Sequence, residues 1–559
     1  MTFLALVDEL LADYFRLNPV HATETGEHAH DGRWPDLTDA GRAERAAWLA
    51  SSIERVRALD TADLSREQVV DRRVLLEYLE AMRFAEEELR EGSWNPLSYV
   101  YLFGGGLFSL LAREFAPLPE RLRSATERMR SLPAALAAAR ETLVAGGDRP
   151  ASRFHTQKAA ERMAGISDLC RTAVAEGERV ADPALQAELR EAAASAEAAV
   201  AEFAAWLRDD LLPTATGDFR LGPELYAAKF RHALKTDLTP RELEQRALAD
   251  YETVRSEMAR LARALWPEWG AGEEQPEEDD AVVRRVLDAI AAQHPAASEL
   301  LDFCRAETDR IGAFVQEHDL IGLPEDPMQI VWTPEFLRAF GGAMLIPPGP
   351  LDRGLDAFFA ITPMPADWSE ARRESYLRED NDRMLRLLTI HEAVPGHYLQ
   401  LAYSNQCASP VRTVFQSGVF AEGWAVYVTQ VMMDVGYGSE DPALMLVHWK
   451  FYLRSITNAL MDIRIHAGEM DEAAAMRLMV DGGFQEEGEA ANKWDRARLS
   501  STQLCEYFLG SVEMHALEAE ARRRAATTGE AFAYRPFLES VIGHGTPSMP
   551  VVRDLLFGD

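Results

Sequence analysis

The chain has 559 residues, of which 47% are hydrophobic and 27% charged, and that balance excludes wholesale disorder. Asp and Glu number 91 against 58 for Lys and Arg, so the formal net charge is −33. A surface this acidic repels nucleic acid and anionic membranes, and we therefore expect neither as a partner.

The N-terminal stretch MTFLALVDELLADYF predicts an amphipathic helix of the mature protein, because Asp8 and Glu9 come early and no basic region or cleavage site is present. The four cysteines are far apart and form no C-x-x-C pair, which excludes a cysteine zinc knuckle and fits a reducing compartment. No stretch of about 18 uncharged apolar residues appears, so no transmembrane span is expected. The sequence therefore predicts a soluble protein of the cytoplasm.

Amphipathic helices account for most of the predicted structure, because apolar residues recur every three or four positions in long stretches at 40–90, 118–146 and 156–211. Residues 17–38 are rich in Pro, Gly and other turn formers, and they predict a long ordered loop. The run Gly104–Gly106 predicts a tight connection between two helices, since no strand precedes it and no Lys-Ser/Thr follows it.

The second half of the chain begins with a clear helix start, in which Thr239 is the N-cap and Glu242 lies in the acidic first turn. Three short β-like stretches follow, separated by Pro and Gly turns, at 328–333, 341–346 and 356–362. The sequence thus predicts a mainly α protein with one small sheet. No internal repeat or clear linker divides the chain, so we treat it as a single unit, 1–559, with lobes at 1–240 and 241–559.

The segment RLLTIHEAVPGHYLQLAY carries the strongest chemical signal, because it contains His391, Glu392 and His397. In the H-E-x-x-H helix of metallopeptidases, two histidines four residues apart bind zinc and the glutamate reaches the water on the metal. Here the second histidine follows after six residues, which on an ideal helix turns the two imidazoles about 120° apart. Pro395 disrupts the helix and Gly396 can adopt an unusual backbone conformation, so this insertion can return His397 to the side of His391.

A catalytic zinc site of this kind needs a third protein ligand and an open position for water. Glu422 is the one acid in the apolar run VFQSGVFAEGWAVYVTQVMM, so we expect it to be buried and to require a cation or a partner. The alternative for Glu422 is a core carboxylate that is ion-paired with an arginine. The alternative for His391 and His397 is a pair of hydrogen-bonded core histidines.

The phrases HEAVPGHYLQ and EGWAVY, together with NPVHATETG, LGPELYAAKF and FLESVIGHGTPSMPVV, resemble a bacterial family catalogued as domain of unknown function 885. The resemblance covers nearly the whole chain. That family is similar to helical zinc peptidases that use H-E-x-x-H plus a downstream Glu, which implies one zinc ion held by His391, His397 and Glu422, with Glu392 as general base. It also implies a large two-lobed, metallopeptidase-like helical fold with a small antiparallel β-sheet beside the active-site cleft.

Two downstream residues, His466 and Tyr507, stand where related peptidases have a His and a Tyr against the carbonyl oxyanion. The resemblance implies that both donate hydrogen bonds to that oxygen. The alternative for each is a structural hydrogen bond. The chain departs from the family here, because Arg464 and Ile465 precede His466 where the family usually has Gly-Leu, and an arginine beside the cleft would favour a substrate carboxylate.

Taken together, these residues predict a zinc-dependent hydrolase of short peptides or peptide-like amides, with one Zn²⁺ per chain. Glu392 takes a proton from the attacking water and passes it to the leaving amine. Two other classes stay open at this point. One is a non-haem iron oxygenase built on two histidines and a carboxylate, and the other is a catalytically silent peptide-binding protein.

Overall fold

The computed structural model divides the chain into two compact units. The first comprises Met1–Leu221 and the segment Pro348–Leu355, and the second comprises Gly222–Pro347 and Asp356–Asp559. The division therefore comes earlier than the predicted boundary after residue 240. The residues that the structure describes are 2–325, 328–333, 343–365 and 368–558.

Helices build the first unit. They are α1 (Phe3–Leu17), α2 (Pro19–Thr25), α3 (Asp39–Arg57), α4 (Arg66–Phe84), α5 (Leu97–Ala112), α6 (Leu118–Ala145), α7 (Arg153–Arg162), α8 (Ala164–Gly177), α9 (Pro183–Trp206) and α10 (Leu212–Thr214). Their apolar stripes form the core of the unit, as the three- and four-residue spacing predicts.

Two sequence predictions for this unit are wrong. The glycines 104–106 do not separate two helices, because α5 runs through them. A Cβ atom at Gly106 would lie 2.4 Å from the ring of Trp34, so this glycine allows the indole to pack directly on the helix. The predicted loop at 17–38 contains α2, which starts with Pro19 and ends at Thr25, and Gly26 caps it in a left-handed conformation.

The second unit is also helical, and it carries the sheet. Its helices are α11 (Pro223–Leu234), α12 (Pro240–Trp269), α13 (Asp279–Ala291), α14 (Leu300–Glu317), α15 (Glu370–Glu379), α16 (Asp382–Glu392), α17 (His397–Ser404), α18 (Pro410–Val414), α19 (Gly418–Asp434), α20 (Pro442–His466), α21 (Glu472–Arg477), α22 (Glu487–Leu499), α23 (Glu506–Thr528), α24 (Tyr534–Ile542) and α25 (Met549–Phe557). The predicted start of α12 is confirmed. Thr239 accepts from the backbone N–H of Glu242, and the Glu242 carboxylate accepts from the backbone N–H of Thr239.

The sheet is mixed, which corrects the expectation of an antiparallel one. Its strands β1 (Met328–Trp332), β2 (Ala343–Ile346) and β3 (Ala357–Ile361) are ordered β1-β3-β2. The central strand β3 pairs in parallel with β1 and antiparallel with β2. Apolar, β-branched and aromatic runs indicate where strands lie, but they carry no information on strand direction. Residues 341–342 of the predicted middle stretch lie outside the described residues.

The sheet packs on the helix that carries the predicted site. Ile330 and Phe359 on the sheet share a buried apolar cluster with Leu385 on α16 and with Ala393, which follows that helix. This packing fixes the C-terminal end of α16. Within the described ranges, no helix is both long and apolar enough to cross a bilayer.

Candidate metal centre

The helix α16 places the first histidine at its C-terminal end. The helix starts where the side chain of Asn381 accepts hydrogen bonds from the backbone N–H groups of Arg383 and Met384. It ends at Glu392, so His391 and Glu392 occupy its last turn. The imidazole of His391 is buried, and the ring of Phe451 from α20 packs against it edge-on at 5.6 Å.

The chain breaks its helix between the two histidines, as the Pro-Gly insertion predicts. Helix α16 ends at Glu392, and α17 begins at His397. A Cβ atom at Gly396 would lie 1.9 Å from the carbonyl oxygen of His391, so only glycine fits this close approach. The buried indole of Trp424 donates to the carbonyl oxygen of Pro395 at 2.8 Å and thereby ties the break to α19.

The break brings the two imidazoles together. The ring centroids of His391 and His397 are 4.7 Å apart, and their planes are 87° apart. Helix α19 adds Glu422, whose Oε2 lies 3.7 Å from Nε2 of His391 and 3.4 Å from Nε2 of His397. The three residues thus present their ligand atoms within 4.8 Å of one another.

These residues fit a bound metal ion. With zinc–ligand bonds of about 2.0–2.1 Å, ligand atoms on a tetrahedron lie about 3.3 Å apart, close to both distances from the Glu422 oxygen. That oxygen is buried and makes no hydrogen bond, although it faces two imidazole nitrogens. Two imidazoles and one carboxylate are a common donor set for catalytic zinc. His397 and Glu422 are only partly buried, which leaves room for a water or a substrate.

Among the three candidate ligands, Glu422 carries the negative charge. Burial alone would raise the pKa of its carboxyl, but the two neighbouring imidazoles hold that pKa well below the usual range. The pKa of His397 is raised, because the influence of Glu422 exceeds the opposing effect of burial. Among the described residues, no arginine or lysine forms an ion pair with Glu422, so the arginine-paired alternative has no support there.

The carboxylate of Glu392 faces the sheet. Its Oε2 accepts a hydrogen bond from the backbone N–H of Leu345 at 3.1 Å. Leu345 lies in β2, an edge strand, and its N–H points away from the partner strand β3. The edge of β2 therefore lies directly beside Glu392.

Helix α23 packs against α19 so closely that it brings Tyr507 towards the site. A Cβ atom at Gly423 would lie 2.4 Å from the Cα atom of Gly510, so the two helix backbones touch beside Glu422. Tyr507 lies three residues before Gly510, on the same helix face. Burial and the charge of Glu422 raise the pKa of Tyr507 to about 12, so the phenol keeps its proton at neutral pH.

Sequence reasoning did not single out three polar residues around Tyr507. Gln503 and Arg496 each donate a hydrogen bond to the phenol oxygen, at 3.2 and 3.3 Å. The carboxyl of Glu506 lies against Gly418, one turn before Glu422 on α19. Burial and the charge of Glu422 raise the pKa of Glu506 to about 8. The spacing of Gln503 four residues before Tyr507 was the one sequence signal for this group.

The structure places His466 in a different setting from the triad. It is buried at the end of α20, and its Nε2 lies 2.9 Å and 3.0 Å from the carbonyl oxygens of Ala497 and Ser500. The ring therefore uses this nitrogen to anchor the end of α22, which favours the structural alternative. Arg464 is ion-paired with Glu244 at 2.7 Å, and its charge is thereby engaged within the protein.

The chain matches the model of one protein family over residues 19–556. That family is described as "Bacterial protein of unknown function (DUF885)". None of the curated proteins matches the chain. The family resemblance seen in the sequence is therefore confirmed, and it extends over nearly the whole length.

Two solved structures are similar to the whole chain. A "putative lipoprotein of unknown function" from Shewanella oneidensis is 30% identical, with a TM-score of 0.85 and coverage of 100% of both chains. A "putative lipoprotein" from Colwellia psychrerythraea is 15% identical, with a TM-score of 0.81 and coverage of 99% of this chain and 98% of that one. A lipoprotein is anchored to a membrane by covalent lipid, so these names contradict the cytoplasmic location predicted from the sequence.

Proposed function

The chain belongs to the bacterial family of unknown function DUF885, and we propose that it is a zinc-dependent hydrolase of peptide or peptide-like amide bonds. The observation that supports this proposal most strongly is the convergence of His391, His397 and Glu422 beside the carboxylate of Glu392. This arrangement has the parts of a helical metallopeptidase site, although the second histidine follows after six residues. The likeness to such peptidases is part of the proposal.

Three side chains hold the metal in this proposal. Nε2 of His391, Nε2 of His397 and a carboxylate oxygen of Glu422 are the ligand atoms. A bound zinc ion supplies Lewis acidity, which polarises an amide carbonyl and lowers the pKa of water to about 7. Cys304 lies in the cluster behind α16, but it is fully buried and burial raises the pKa of its thiol to about 12, so it is not a fourth ligand in this scheme.

Glu392 is the general base in this proposal. It is adjacent to a ligand, and the hydrogen bond from the N–H of Leu345 holds its carboxylate in place. The carboxylate accepts a proton from the attacking water and then delivers it to the amine that leaves. A pure binding protein has no use for a base at this point, and the position of Glu392 therefore favours hydrolysis over silent binding.

Tyr507 stabilises the negative charge that develops on the substrate carbonyl oxygen. Its phenol oxygen accepts hydrogen bonds from Gln503 and Arg496, and these occupy the lone pairs of that oxygen. The hydroxyl hydrogen of Tyr507 is then available to a different acceptor. A protonated phenol that receives two such hydrogen bonds is a strong donor to an oxyanion. His466 has no role in this proposal, because its Nε2 lies within hydrogen-bond distance of two backbone carbonyl oxygens.

The substrate in this proposal is an extended short peptide. The edge strand β2 lies beside Glu392, and a peptide that pairs with its backbone would pass the ligand triad. Such pairing uses main-chain hydrogen bonds, so it gives affinity for peptides of many sequences.

The test is cleavage of a short-peptide mixture, followed by mass spectrometry. The zinc-loaded protein should cleave peptides, and Glu392→Gln should lower turnover by a factor of about 10²–10⁴ while it retains zinc. Glu374→Gln is the matched control, because Glu374 is an exposed carboxylate of the same unit that pairs with His294. Equal turnover in the wild type and Glu392→Gln would contradict the proposal.

A further inference from the structure

Arg496 holds the phenol of Tyr507 from the last turn of α22. Its Nη2 donates to the phenol oxygen at 3.3 Å and to Oε1 of Gln503 at 3.2 Å. Gln503 in turn donates to the same phenol oxygen at 3.2 Å. The guanidinium is therefore fixed next to the group that faces the substrate carbonyl in the proposed function.

The rest of this guanidinium is free. In the parts of the chain that the structure describes, Nε and Nη1 of Arg496 have no hydrogen-bond partner, and no carboxylate lies within ion-pair distance. The side chain is exposed to solvent. The chain has 91 acidic and 58 basic residues, so acidic side chains are numerous enough to pair with most of its arginines. Arg464, by contrast, is paired with Glu244.

Within the described residues, Glu506 acts on this charge without forming an ion pair with Arg496. Glu506 precedes Tyr507 and interacts with Arg496 through space, but burial and the charge of Glu422 raise the pKa of its carboxyl to about 8. A planar guanidinium with unused donors can bind a carboxylate with two parallel hydrogen bonds.

We propose that Arg496 binds a carboxylate of the substrate beside Tyr507. The enzyme then prefers peptides whose free carboxylate lies close to the scissile amide, as in the removal of residues from a C-terminus or the cleavage of very short peptides. This inference rests on the proposed function, because Tyr507 marks the position of the scissile carbonyl. It assigns to Arg496 the carboxylate-binding role that the sequence suggested for Arg464.

The test compares the binding of two probes by isothermal titration calorimetry, the tripeptide Ala-Ala-Ala and its C-terminal amide. In zinc-loaded Glu392→Gln, which binds without turnover, the free acid should bind about ten- to a hundredfold more tightly than the amide, since a charged hydrogen bond contributes that much. Adding Arg496→Gln should remove this preference. Arg464→Gln in the same background should retain it, because Arg464 is engaged by Glu244.

Several outcomes separate this inference from the proposed function. Equal affinity for acid and amide, or a preference that survives Arg496→Gln, would overturn the inference even if zinc is bound and peptides are cleaved. A preference that depends on Arg496 in protein stripped of metal would support the inference even if the hydrolase proposal fails. Loss of the preference in Arg464→Gln alone would assign the role to that residue and overturn the inference for Arg496.

Discussion

At the residue scale, the site depends on one glycine. Gly396 brings its Cα against the carbonyl oxygens of Ile390 and His391, and a Cβ atom there would lie 2.3 and 1.9 Å from them. Both neighbours are backbone atoms, so neither can rotate away as a side chain would. The turn that returns His397 to His391 therefore requires glycine at this position.

We expect Gly396→Ala to displace this turn, to lower the free energy of unfolding by on the order of 3 kcal/mol and to abolish zinc binding. Urea unfolding and metal analysis measure the two effects. Gly165→Ala on α8 is the control, because no atom lies within 4 Å of its added Cβ, and it should retain zinc with little change in stability. Full zinc content in Gly396→Ala would show that the turn tolerates a side chain.

A second residue-scale prediction concerns His28 in the first unit. Its imidazole lies between the carboxylates of Asp31 and Asp352, at 3.0 and 3.1 Å. Burial disfavours its charge, but the two carboxylates outweigh burial and raise the pKa of His28 to about 9. The stabilisation from this raised pKa is complete below the unfolded value of about 6.5, and it disappears as the pH rises through about 9.

Replacing this histidine should therefore destabilise the protein in a pH-dependent way. His28→Gln should lower the free energy of unfolding by about 2 kcal/mol at pH 6 and by much less at pH 10, as measured by urea unfolding. His21→Gln is the control, because His21 and its partner Glu24 keep 44% and 42% of their side-chain surface exposed. Equal losses for His28→Gln at the two pH values would refute this explanation.

Most of the site residues could be predicted from the sequence, because their chemistry is local. The pair His391 and His397, and the lone acid Glu422 in an apolar run, are visible without a structure. The partners of the arginines cannot be predicted in this way, because Arg464 contacts Glu244 and Arg496 contacts Tyr507 only after the chain has folded. The sequence therefore suggested Arg464 for a substrate carboxylate, whereas the contacts of the folded chain lead us to propose Arg496.

At the scale of elements, the placement of Tyr507 depends on the contact between α19 and α23. A Cβ atom at Gly510 would lie 2.1 Å from the carbonyl oxygen of Val419 and 2.6 Å from the Cα atom of Gly423. The two helices approach this closely because glycines face each other. The proposed metal ligands lie on α16, α17 and α19, whereas Tyr507 lies on α23, so a change in this contact separates the two groups.

We expect Gly510→Ala to push α23 away from α19. Turnover should fall at least about tenfold, since the phenol no longer reaches the carbonyl oxygen, while the zinc content stays unchanged. Steady-state kinetics measure the turnover, and metal analysis of the same preparation measures the zinc content. Gly488→Ala on α22, where an added Cβ meets no atom within 4 Å, should have no effect on turnover. Unchanged turnover in a folded Gly510→Ala protein would remove Tyr507 from the mechanism.

The helices were predictable as elements, because the spacing of apolar residues indicates which face is buried. The errors arose where a residue type acts through tertiary packing. The glycines at 104–106 predicted a break, yet Gly106 accommodates Trp34 within α5. The β-like runs predicted strands, but the parallel pairing of β1 with β3 depends on how the sheet assembles.

At the scale of the whole molecule, composition proved a poor guide to location. The charge of −33, the scattered cysteines and the N-terminal helix predicted a cytoplasmic protein. The similar structures from Shewanella oneidensis and Colwellia psychrerythraea contradict that prediction through their names. Net charge and cysteine spacing describe solubility and redox chemistry, and a lipid anchor changes neither.

Metal binding should stabilise one unit of the molecule. All three proposed metal-binding residues lie in the second unit. An ion present at a hundred times its Kd stabilises the folded state that binds it by about 2.7 kcal/mol. A chelator should therefore lower the melting temperature of the transition in which that unit unfolds by about 4 °C in calorimetry. His397→Gln should make this melting temperature insensitive to the chelator. A chelator effect that persists in His397→Gln would place the metal elsewhere.

The binding of one zinc ion by His391, His397 and Glu422 across the Pro-Gly turn underlies the proposed function. Its most direct test is the metal content of tag-free protein by elemental mass spectrometry, for the wild type, His397→Gln and the control His294→Gln. We predict about one zinc per chain in the wild type and the control, and none in His397→Gln. Equal zinc in all three proteins, or no metal in the wild type after zinc is supplied, would contradict the claim.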